Sequence, residues 1–387
     1  MKDYDLSLLE LRKRKNMIYH FFAGQNFHLC PSIIKSIVEN PGQDKEGKTL
    51  EHFFCINMTS KNRYFNIVNP YIPLFEQYKF CNYYFIEDTI EVFRIINSKK
   101  SVSNRFFFHS NFLDTKSRIA LYIWLRIFNY SLLKRISLIG WGIRDFHVKG
   151  EKEGLKRSII SLIHQSTISK MRNLISLSQG DYLITKEYFP DSNCVQLNYI
   201  MDYSDNIVPI ESTNNKIAIM ISHSGWEHNN HLKTFNLISK YKNENIDIIC
   251  PLAYGNKDYI KEVIRNGESI FGKKFKYFTN LKPKEEYIEL ISSIDIYMTS
   301  ANIQTGIFAV IVALDAGKKI YITGNLLNSM DHKGFVTMDI ETVKKMSFSH
   351  FSKPLTERDI RINRKAVKQH FKINDDLIKK WNEIYIN

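Results

Sequence analysis

The stretch KIAIMISHSGWEHNNH, residues 216–231, decides how this chain folds. Its first six residues, 216–221, are apolar enough to form a buried strand, and a helical pattern begins at its end. Between the two lies a polar turn that bends at Gly225 and in which Asn229 is the predicted N-cap of the helix. A strand, a polar loop and a helix in this order predict a βα unit. Such a loop is either an ordinary turn or a place where backbone N–H groups meet an anion.

The same alternation continues after this stretch, so the second half of the chain predicts a doubly wound parallel sheet. Helical patterns separate its five predicted strands, which are 216–221, 246–250, 275–278, 295–299 and 319–322. Parallel strands end at one edge of a sheet, so we expect the loops 222–229, 252–257, 300–306 and 323–325 to line one crevice. Each loop carries donors just before a helix begins, and four such helix starts favour a bound diphosphate.

The first half of the chain has a similar but less regular pattern. Its predicted strands are 17–22, 52–56, 82–86, 104–109, 135–139 and 181–185, with a long amphipathic helix over 151–177. Two strand ends carry polar side chains where ligands usually bind. His109 closes one strand, and Trp141, Gly142 and Asp145 follow another. A histidine in this position is more often structural, so the loop that carries Asp145 is the better candidate for a site.

A polar segment rich in Asp, Asn, Ser and Thr, residues 202–215, interrupts both patterns and predicts an interdomain linker. We therefore divide the chain into a first lobe over residues 1–205, a second lobe over 206–360 and terminal helices over 361–387. With 387 residues, of which 44% are hydrophobic, the chain is long enough for two buried cores.

The charge balance limits the classes of partner. Lys and Arg total 54 against 40 Asp and Glu, a net charge of +14, so phosphate-rich ligands or an anionic membrane surface are favoured. The basic residues of the 151–177 helix are either a solvated face or a contact with lipid headgroups. Nucleic acid is the least favoured partner, because zinc-finger spacing, a basic tail and long basic runs are all missing from the sequence. No apolar run is long enough to cross a bilayer.

Cofactor and metal motifs are also missing from the sequence. It contains no G-x-G-x-x-G, no P-loop and no H-E-x-x-H, and its five cysteines are scattered. His223, His228 and His231 lie close together, but no carboxylate or thiolate joins them at ligand spacing. We therefore expect neither a metal nor a cofactor. The first 16 residues lack a signal-peptide core, which favours a cytoplasmic location.

Ordered short motifs between residues 105 and 317 resemble glycosyltransferase family 56, whose members transfer 4-acetamido-4,6-dideoxygalactose (Fuc4NAc) from dTDP to a lipid-linked glycan of enterobacterial common antigen. The motifs lie at both sets of strand ends. They are Arg105 to His109, Trp141-Gly142, Ser224-Gly225 with Asn229 and His231, Pro251 with Tyr254 and Asn256, and Gln304 with Gly306-Ile307 and Ala316-Gly317. One departure concerns the turn itself, where Trp226-Glu227 replaces the Asp-Arg pair of the family.

The resemblance implies an α/β protein of the GT-B type, with two Rossmann-like lobes that face a cleft and no obligatory metal. It implies a dTDP-sugar donor on the second lobe and a polyprenyl-diphosphate-linked glycan acceptor on the first, at the cytoplasmic face of the bacterial inner membrane. Asp145, His109 and Glu227 are the candidate catalytic residues, in that order. The candidate substrate contacts are Trp141, Gly142, Ser222, His223, Ser224, Gly225, Asn229, His231, Tyr254, Gly255, Asn256, Asn302, Gln304, Thr305 and Gly306. A different nucleotide sugar or acceptor, or a non-catalytic binding scaffold, is the alternative.

Overall fold

The computed structural model describes residues 17–24, 30–59, 71–78, 82–98, 103–146, 155–199, 207, 216–301, 303 and 305–386. The chain forms two compact units. The N-unit comprises Met1–Met201 together with Ile373–Asn387, and the C-unit comprises Asp202–Lys372.

The N-unit is built on a seven-stranded parallel sheet in the order β3-β2-β1-β4-β5-β6-β7. Its five inner strands are largely buried, as expected for a parallel sheet covered on both faces, and the two edge strands are mostly half-buried. The strands are β1 Met17–Ala23, β2 Glu51–Asn57, β3 Asn82–Ile86, β4 Arg105–His109, β5 Ile136–Gly140, β6 Asn173–Ser176 and β7 Cys194–Gln196. The first five confirm strands predicted from the apolar runs.

Eight helices of the described residues belong to the N-unit. They are α1 Cys30–Glu39, α2 Tyr71–Gln77, α3 Thr89–Ser98, α4 Thr115–Phe128, α5 Tyr130–Leu133, α6 Leu155–Ile168, α7 Gln179–Tyr188 and, from the end of the chain, α15 Asp375–Ile386. The last one packs on the sheet, where the ring of Tyr385 meets His20 and Phe107 edge-on. The preceding helix, Glu357–Phe371, belongs to the C-unit.

Two local predictions in the N-unit are wrong. The predicted strand 181–185 lies in helix α7, and the predicted helix 151–177 ends at Ile168, before strand β6. Ser178 explains the first error, because its side chain accepts a hydrogen bond from the backbone N–H of Asp181 and caps the helix. The apolar run that resembled a strand is the interior of this helix, and Leu183 is exposed on it.

The C-unit has a six-stranded parallel sheet in the order β10-β9-β8-β11-β12-β13. The strands are β8 Ile217–Ile221, β9 Ile246–Pro251, β10 Phe275–Phe278, β11 Ile296–Met298, β12 Lys319–Ile322 and β13 Met338–Asp339. The first five confirm the predicted strands, and β13 was not predicted. The helices are α8 His231–Ile238, α9 Lys257–Phe271, α10 Lys284–Ser293, α11 Ile307–Asp315, α12 Gly324–His332, α13 Phe348–Ser352 and α14 Glu357–Phe371.

Each sheet has a point where the strand order reverses. In the N-unit the chain builds outward from β1 to β3 and then returns to place β4 on the other side of β1. In the C-unit it builds from β8 to β10 and then places β11 beside β8. Loops at the carboxyl ends of strands diverge at such a point and leave a crevice. The loops after β8 and β11, and the loop after β4, therefore occupy favoured ligand positions.

Candidate functional site

The turn after β8 leaves its strand abruptly. Ser222 has a φ of 58°, which lies in the left-handed region that residues other than glycine seldom adopt. Its side chain is buried and donates to Thr299 Oγ1 at 3.0 Å. Its backbone N–H donates to the carbonyl of Met298. The turn is thus anchored to the end of β11, its neighbour in the sheet.

Gly225 and Gly255 hold the loops after β8 and β9 against each other. The N–H of Gly225 donates to the carbonyl of Tyr254 at 2.7 Å, and the N–H of Asn256 donates to the carbonyl of Gly225 at 3.0 Å. A Cβ atom at Gly255 would lie 2.2 Å from the backbone of Gly225, and φ at Gly255 is +141°. Only glycine allows this approach.

His223 connects the loops after β8 and β11. Its Nε2 lies 3.1 Å from Ser224 Oγ and 3.2 Å from Thr305 Oγ1. A Cβ atom at Gly306 would lie 2.5 Å from the His223 ring, so this glycine also permits a close approach. Three of the four predicted loops therefore meet within the C-unit. Asn302 and Gln304 lie outside the described residues.

Asn229 and His231 are buried beneath this turn and stabilise it. This corrects the prediction that Asn229 is a helix N-cap and that both residues contact the substrate. Asn229 is not the helix N-cap, because α8 begins after Asn230, whose φ is 51°. Its buried amide donates instead to the carbonyl and hydroxyl oxygens of Ser224, at 2.7 and 2.9 Å. Burial lowers the pKa of His231 to about 3, so the imidazole is neutral, and its backbone N–H donates to Tyr259 Oη. Both side chains are too buried to face a ligand.

The start of helix α9 is capped by a side chain. Asn256 is its N-cap, and its side-chain oxygen accepts from the backbone N–H groups of Asp258 and Tyr259. The same side chain donates to Glu227, whose exposed carboxylate is thereby held over the turn. Burial raises the pKa of Tyr254 to about 12, and its ring packs edge-on against His223. The tyrosine is therefore a neutral, largely enclosed wall of the crevice.

In the N-unit, Asp145 lies in a 3₁₀ turn directly after β5. Its Oδ1 accepts from Asn111 Nδ2 at 2.8 Å, and its Oδ2 accepts from the N–H of Trp141 at 2.7 Å. Burial raises the pKa of Asp145, while bonds from Ser110 and Trp141 and the charge of Arg118 oppose the rise. Two donors thus orient the carboxylate, and its enclosed position strengthens it as a proton acceptor.

His109 does not reach a ligand position. It is 1% exposed, and both ring nitrogens are occupied: Nδ1 lies 2.8 Å from Tyr199 Oη, and Nε2 lies 2.9 Å from His20 Nδ1. Burial lowers its pKa well below the usual value. A neutral imidazole with both nitrogens bonded in the core does not accept a substrate proton, so the prediction of His109 as a base is corrected to an internal role.

Trp141 connects the carboxylate and this buried histidine. Its backbone N–H is bonded to Asp145, and its indole Nε1 donates to Tyr199 Oη at 2.7 Å. The side chain is half-buried. At Gly142 a Cβ atom would meet no heavy atom of the described residues within 4 Å, so among these residues the loop next to Trp141 borders open space.

Comparison with known proteins identifies the chain. A family model described as "4-alpha-L-fucosyltransferase glycosyl transferase group 56" matches residues 46–369. The chain belongs to this family. It is therefore a glycosyltransferase, and the resemblance drawn from the strand-end motifs is confirmed.

Solved structures similar to this family 56 enzyme establish the fold. A glycosyltransferase from Rickettsia africae has a TM-score of 0.62 at 13% identity, covering 96% of this chain and 98% of its own. Anabaena HepE in complex with UDP-glucose has a TM-score of 0.62 at 9% identity, with the same coverage. The N-terminal domain of Candida albicans trehalose-6-phosphate phosphatase has a TM-score of 0.63 at 11% identity, covering 96% and 97%. These likenesses confirm the predicted GT-B fold.

Sequence reasoning missed one carboxylate of the family 56 enzyme. Asp181 lies in the first turn of helix α7, is 3% exposed, and has a buried Oδ1 without a hydrogen-bond partner among the described residues. Burial, with a contribution from the charge of Asp145, raises the pKa of Asp181 to about 6. The signal was present in the sequence, because Ser178 followed three residues later by Asp181 is a helix-start pattern.

Proposed function

We propose that this enzyme transfers a 4-amino-4,6-dideoxy sugar of the Fuc4NAc type from a dTDP donor to a polyprenyl-diphosphate-linked glycan. The observation that carries the proposal is the convergence of the loops after β8, β9 and β11 at the switch point of the C-unit, around His223, Gly225 and Gly255. Family 56 membership supports sugar transfer.

The donor diphosphate would be bound at helix starts. Helices α9 and α11 begin at this crevice, after Asn256 and Gly306, and the N-terminal end of a helix carries a partial positive charge. The start of α11 has no side-chain cap, so its N–H groups are the better donors, whereas at α9 Asn256 already accepts from two backbone N–H groups. Donors fixed in advance around a leaving diphosphate stabilise the charge that develops as the glycosidic bond breaks. Thr305, which is half-buried, adds a hydroxyl group at the same place, whereas the hydroxyl of Ser224 is buried beneath the turn.

The acceptor hydroxyl would be deprotonated by Asp145. Its carboxylate is fixed by Asn111 and Trp141 at a strand end of the N-unit, next to the open space at Gly142. A general base must be oriented towards the proton that it accepts and must have a pKa close to the working pH. Burial raises the pKa of Asp145, which brings it closer to that pH. Glu227, the third candidate, lies on the C-unit bonded to Asn256, where it would position the donor.

The first test is the donor requirement. We expect release of dTDP from a dTDP-linked 4-amino-4,6-dideoxy sugar only when a polyprenyl-diphosphate-linked disaccharide is supplied, in a panel that includes the matching UDP- and GDP-sugars. Transfer from UDP-glucose but from no dTDP-sugar would overturn the donor assignment and favour a donor like that of HepE. Calorimetric binding of dTDP without transfer to any acceptor would favour the non-catalytic scaffold.

A surface of the N-unit is suited to a lipid membrane, where a polyprenyl acceptor is held. Helices α4 and α6 pack together, with Arg126 donating to the carbonyl of Ser166 at 3.1 Å. Large apolar side chains are exposed on this helix pair and on the short helix α5. They are Ile123, Ile127, Phe128, Tyr130, Ile159 and Leu162. Lys134 and Lys170 are exposed beside the helix ends. Apolar and basic side chains together favour an anionic membrane surface.

The remaining part of the predicted basic stripe is not described in full. Lys152 lies outside the described residues, as do the side chains of Lys156 and Arg157. Among the described helices, none is long and apolar enough to span a bilayer. On the strength of the exposed apolar and basic side chains of α4, α5 and α6, we propose a peripheral location on the cytoplasmic face of the inner membrane.

Removing two of these apolar side chains should weaken membrane binding. We expect the double variant Ile127→Ser, Phe128→Ser to bind vesicles rich in phosphatidylglycerol roughly tenfold more weakly, as measured by co-sedimentation. Each Å² of apolar surface that no longer inserts into the membrane lowers the binding free energy by about 25 cal/mol. Leu183→Ser is the matched control, since Leu183 is 58% exposed on a different helix of the same unit. Equal binding of the double variant and the wild type would exclude this surface as the membrane contact.

A further inference from the structure

Three histidines form a continuous hydrogen-bonded row through the core of the N-unit. His52 on β2, His20 on β1 and His109 on β4 lie on neighbouring strands. His20 Nε2 is 2.8 Å from His52 Nδ1, and His20 Nδ1 is 2.9 Å from His109 Nε2. The row continues from His109 to Tyr199 Oη and from there to the indole of Trp141. At its other end, His52 Nε2 lies 2.8 Å from the carbonyl of Pro41. We call this set, from Trp141 to Pro41, the histidine relay.

The two ends of the relay fix the position of every proton in it. The carbonyl of Pro41 can only accept, so His52 carries its proton on Nε2. Burial keeps His52 neutral, with its pKa lowered to about 4, and its Nδ1 must then accept from Nε2–H of His20. By the same logic His20 Nδ1 accepts from Nε2–H of His109, because burial also lowers the pKa of both these residues.

The hydrogen bond between Tyr199 and His109 is donated in the same direction along the row as the bonds between the histidines. His109 Nδ1 has a lone pair, so the hydroxyl proton of Tyr199 is donated to it. The indole N–H of Trp141 can only donate, and it meets the remaining lone pair of Tyr199 Oη. Every donor and acceptor in the row is satisfied by one arrangement, in which all three imidazoles are neutral and protonated on Nε2. A hydroxyl that would otherwise rotate freely is therefore held in a single orientation.

Helix α15 encloses the relay. The ring of Tyr385 lies edge-on to His20 and His52, at centroid distances of 6.0 and 5.0 Å. The ring of Trp381 is parallel to that of Tyr199 at 6.1 Å. A low-dielectric enclosure strengthens each hydrogen bond in a row and makes an unpaired member costly.

We propose that the histidine relay positions Trp141 as a platform for the apolar face of the acceptor sugar, with His20, His52, His109 and Tyr199 as positioning residues. The inference rests on the proposed function, because it assumes a sugar acceptor beside Asp145. Trp141 is held at both ends: the relay holds its indole nitrogen, and the proposed base holds its backbone nitrogen. A half-buried indole fixed in this way keeps its exposed part at a constant place relative to the Asp145 carboxylate.

The kinetic test removes the hydroxyl of Tyr199, to which the indole of Trp141 is bonded. Tyr199→Phe keeps the ring and removes two hydrogen bonds, the one from the indole N–H and the one to His109 Nδ1. We expect the KM for a polyprenyl-diphosphate-linked disaccharide to rise about tenfold or more, because a buried hydrogen bond contributes about 1 kcal/mol, with the donor KM unchanged. Tyr188→Phe, on an exposed tyrosine of the same unit, is the control. The Trp141 emission, isolated by subtraction of Trp141→Phe, should shift to the red in Tyr199→Phe only.

A rescue variant separates positioning from simple loss of packing. His109→Gln can still donate through its amide to His20 and accept from Tyr199 through its oxygen, so we expect near-normal acceptor KM. His109→Leu can do neither and should behave like Tyr199→Phe or worse. Equal effects of His109→Gln and His109→Leu would overturn the proposal, as would an unchanged acceptor KM and emission in Tyr199→Phe.

Nitrogen-15 NMR of the imidazoles tests the relay without any substrate. We expect all three histidines to be protonated on Nε2 alone and not to titrate from about pH 5.5 to about pH 8, where a free histidine would. A proton on any Nδ1, or a titration in this range, would overturn the relay. If the enzyme transferred no sugar at all, the proposed function would fail, while NMR and Trp141 emission would still decide whether the relay holds.

Discussion

Asp145→Asn is expected to lower the rate of sugar transfer about 10²–10⁴-fold, the usual contribution of a general base. Asparagine has the same shape and can still accept from Trp141 or Asn111 through its oxygen, but it cannot take a proton. Because the change lies in the N-unit, calorimetric binding of dTDP should be unaffected. The measurement is kcat at saturating donor, with dTDP affinity recorded in parallel.

The pH dependence of sugar transfer tests the role of the same carboxylate independently. Asp145 must be ionised to accept a proton, and burial raises its pKa above the usual carboxyl range. Activity should therefore fall as the pH is lowered through this raised pKa, rather than near pH 4. In Asp145→Asn the residual activity should no longer fall over this acidic range of pH, which we call the acidic limb. Asp191→Asn, on an exposed carboxylate of the same unit, should leave both the rate and the limb unchanged. A near-normal rate in Asp145→Asn would remove it as the base.

The features that could be predicted from the sequence are those with local signals. Apolar runs of four to seven residues, such as Ile217–Ile221, are strands in both units because a parallel sheet buries both faces of its strands. The polar loop that follows each run then falls at one sheet edge. This placed Asp145, His223 and Gly255 at the strand ends, where the structure has them.

The features that could not be predicted depend on pairing across the fold. The five-residue run from Asp181 to Thr185 satisfies a strand pattern as well as a helix pattern, and only the cap at Ser178 distinguishes them. The relay joins His20, His52 and His109, which are separated by more than thirty residues in the chain. No local pattern indicates which buried histidines face each other. That information exists only in the strand order, which puts β1 between β2 and β4.

The largest structural effect is expected from Gly255→Ala in the C-unit. The added methyl group would lie 2.2 Å from the carbonyl carbon and oxygen of Gly225, and both groups are backbone that cannot move aside like a side chain. The loops after β8 and β9 would separate, and the hydrogen bonds from Gly225 to Tyr254 and from Asn256 to Gly225 would be lost. We expect the Tm of the C-unit to fall by roughly 10 °C. Because the same loops form the proposed donor crevice, dTDP affinity should fall by more than about tenfold.

Gly272→Ala is a control that separates the steric clash at Gly255 from the cost of placing alanine in a backbone conformation that favours glycine. Gly272 also has a positive φ, +56°, but a Cβ atom there would have no heavy atom within 4 Å. It ends helix α9, far along the helix from the turn at Asn256. The ψ of Gly272 is −131°, a backbone conformation that is largely restricted to glycine, so alanine there costs about 1–3 kcal/mol without any steric clash. This variant should therefore lose several degrees in Tm but keep its dTDP affinity. If the two variants melted and bound dTDP alike, the apposition of Gly225 and Gly255 would not be what holds the crevice together. If only Gly255→Ala lost dTDP binding, the contact between these two glycines would be a structural requirement of the donor site.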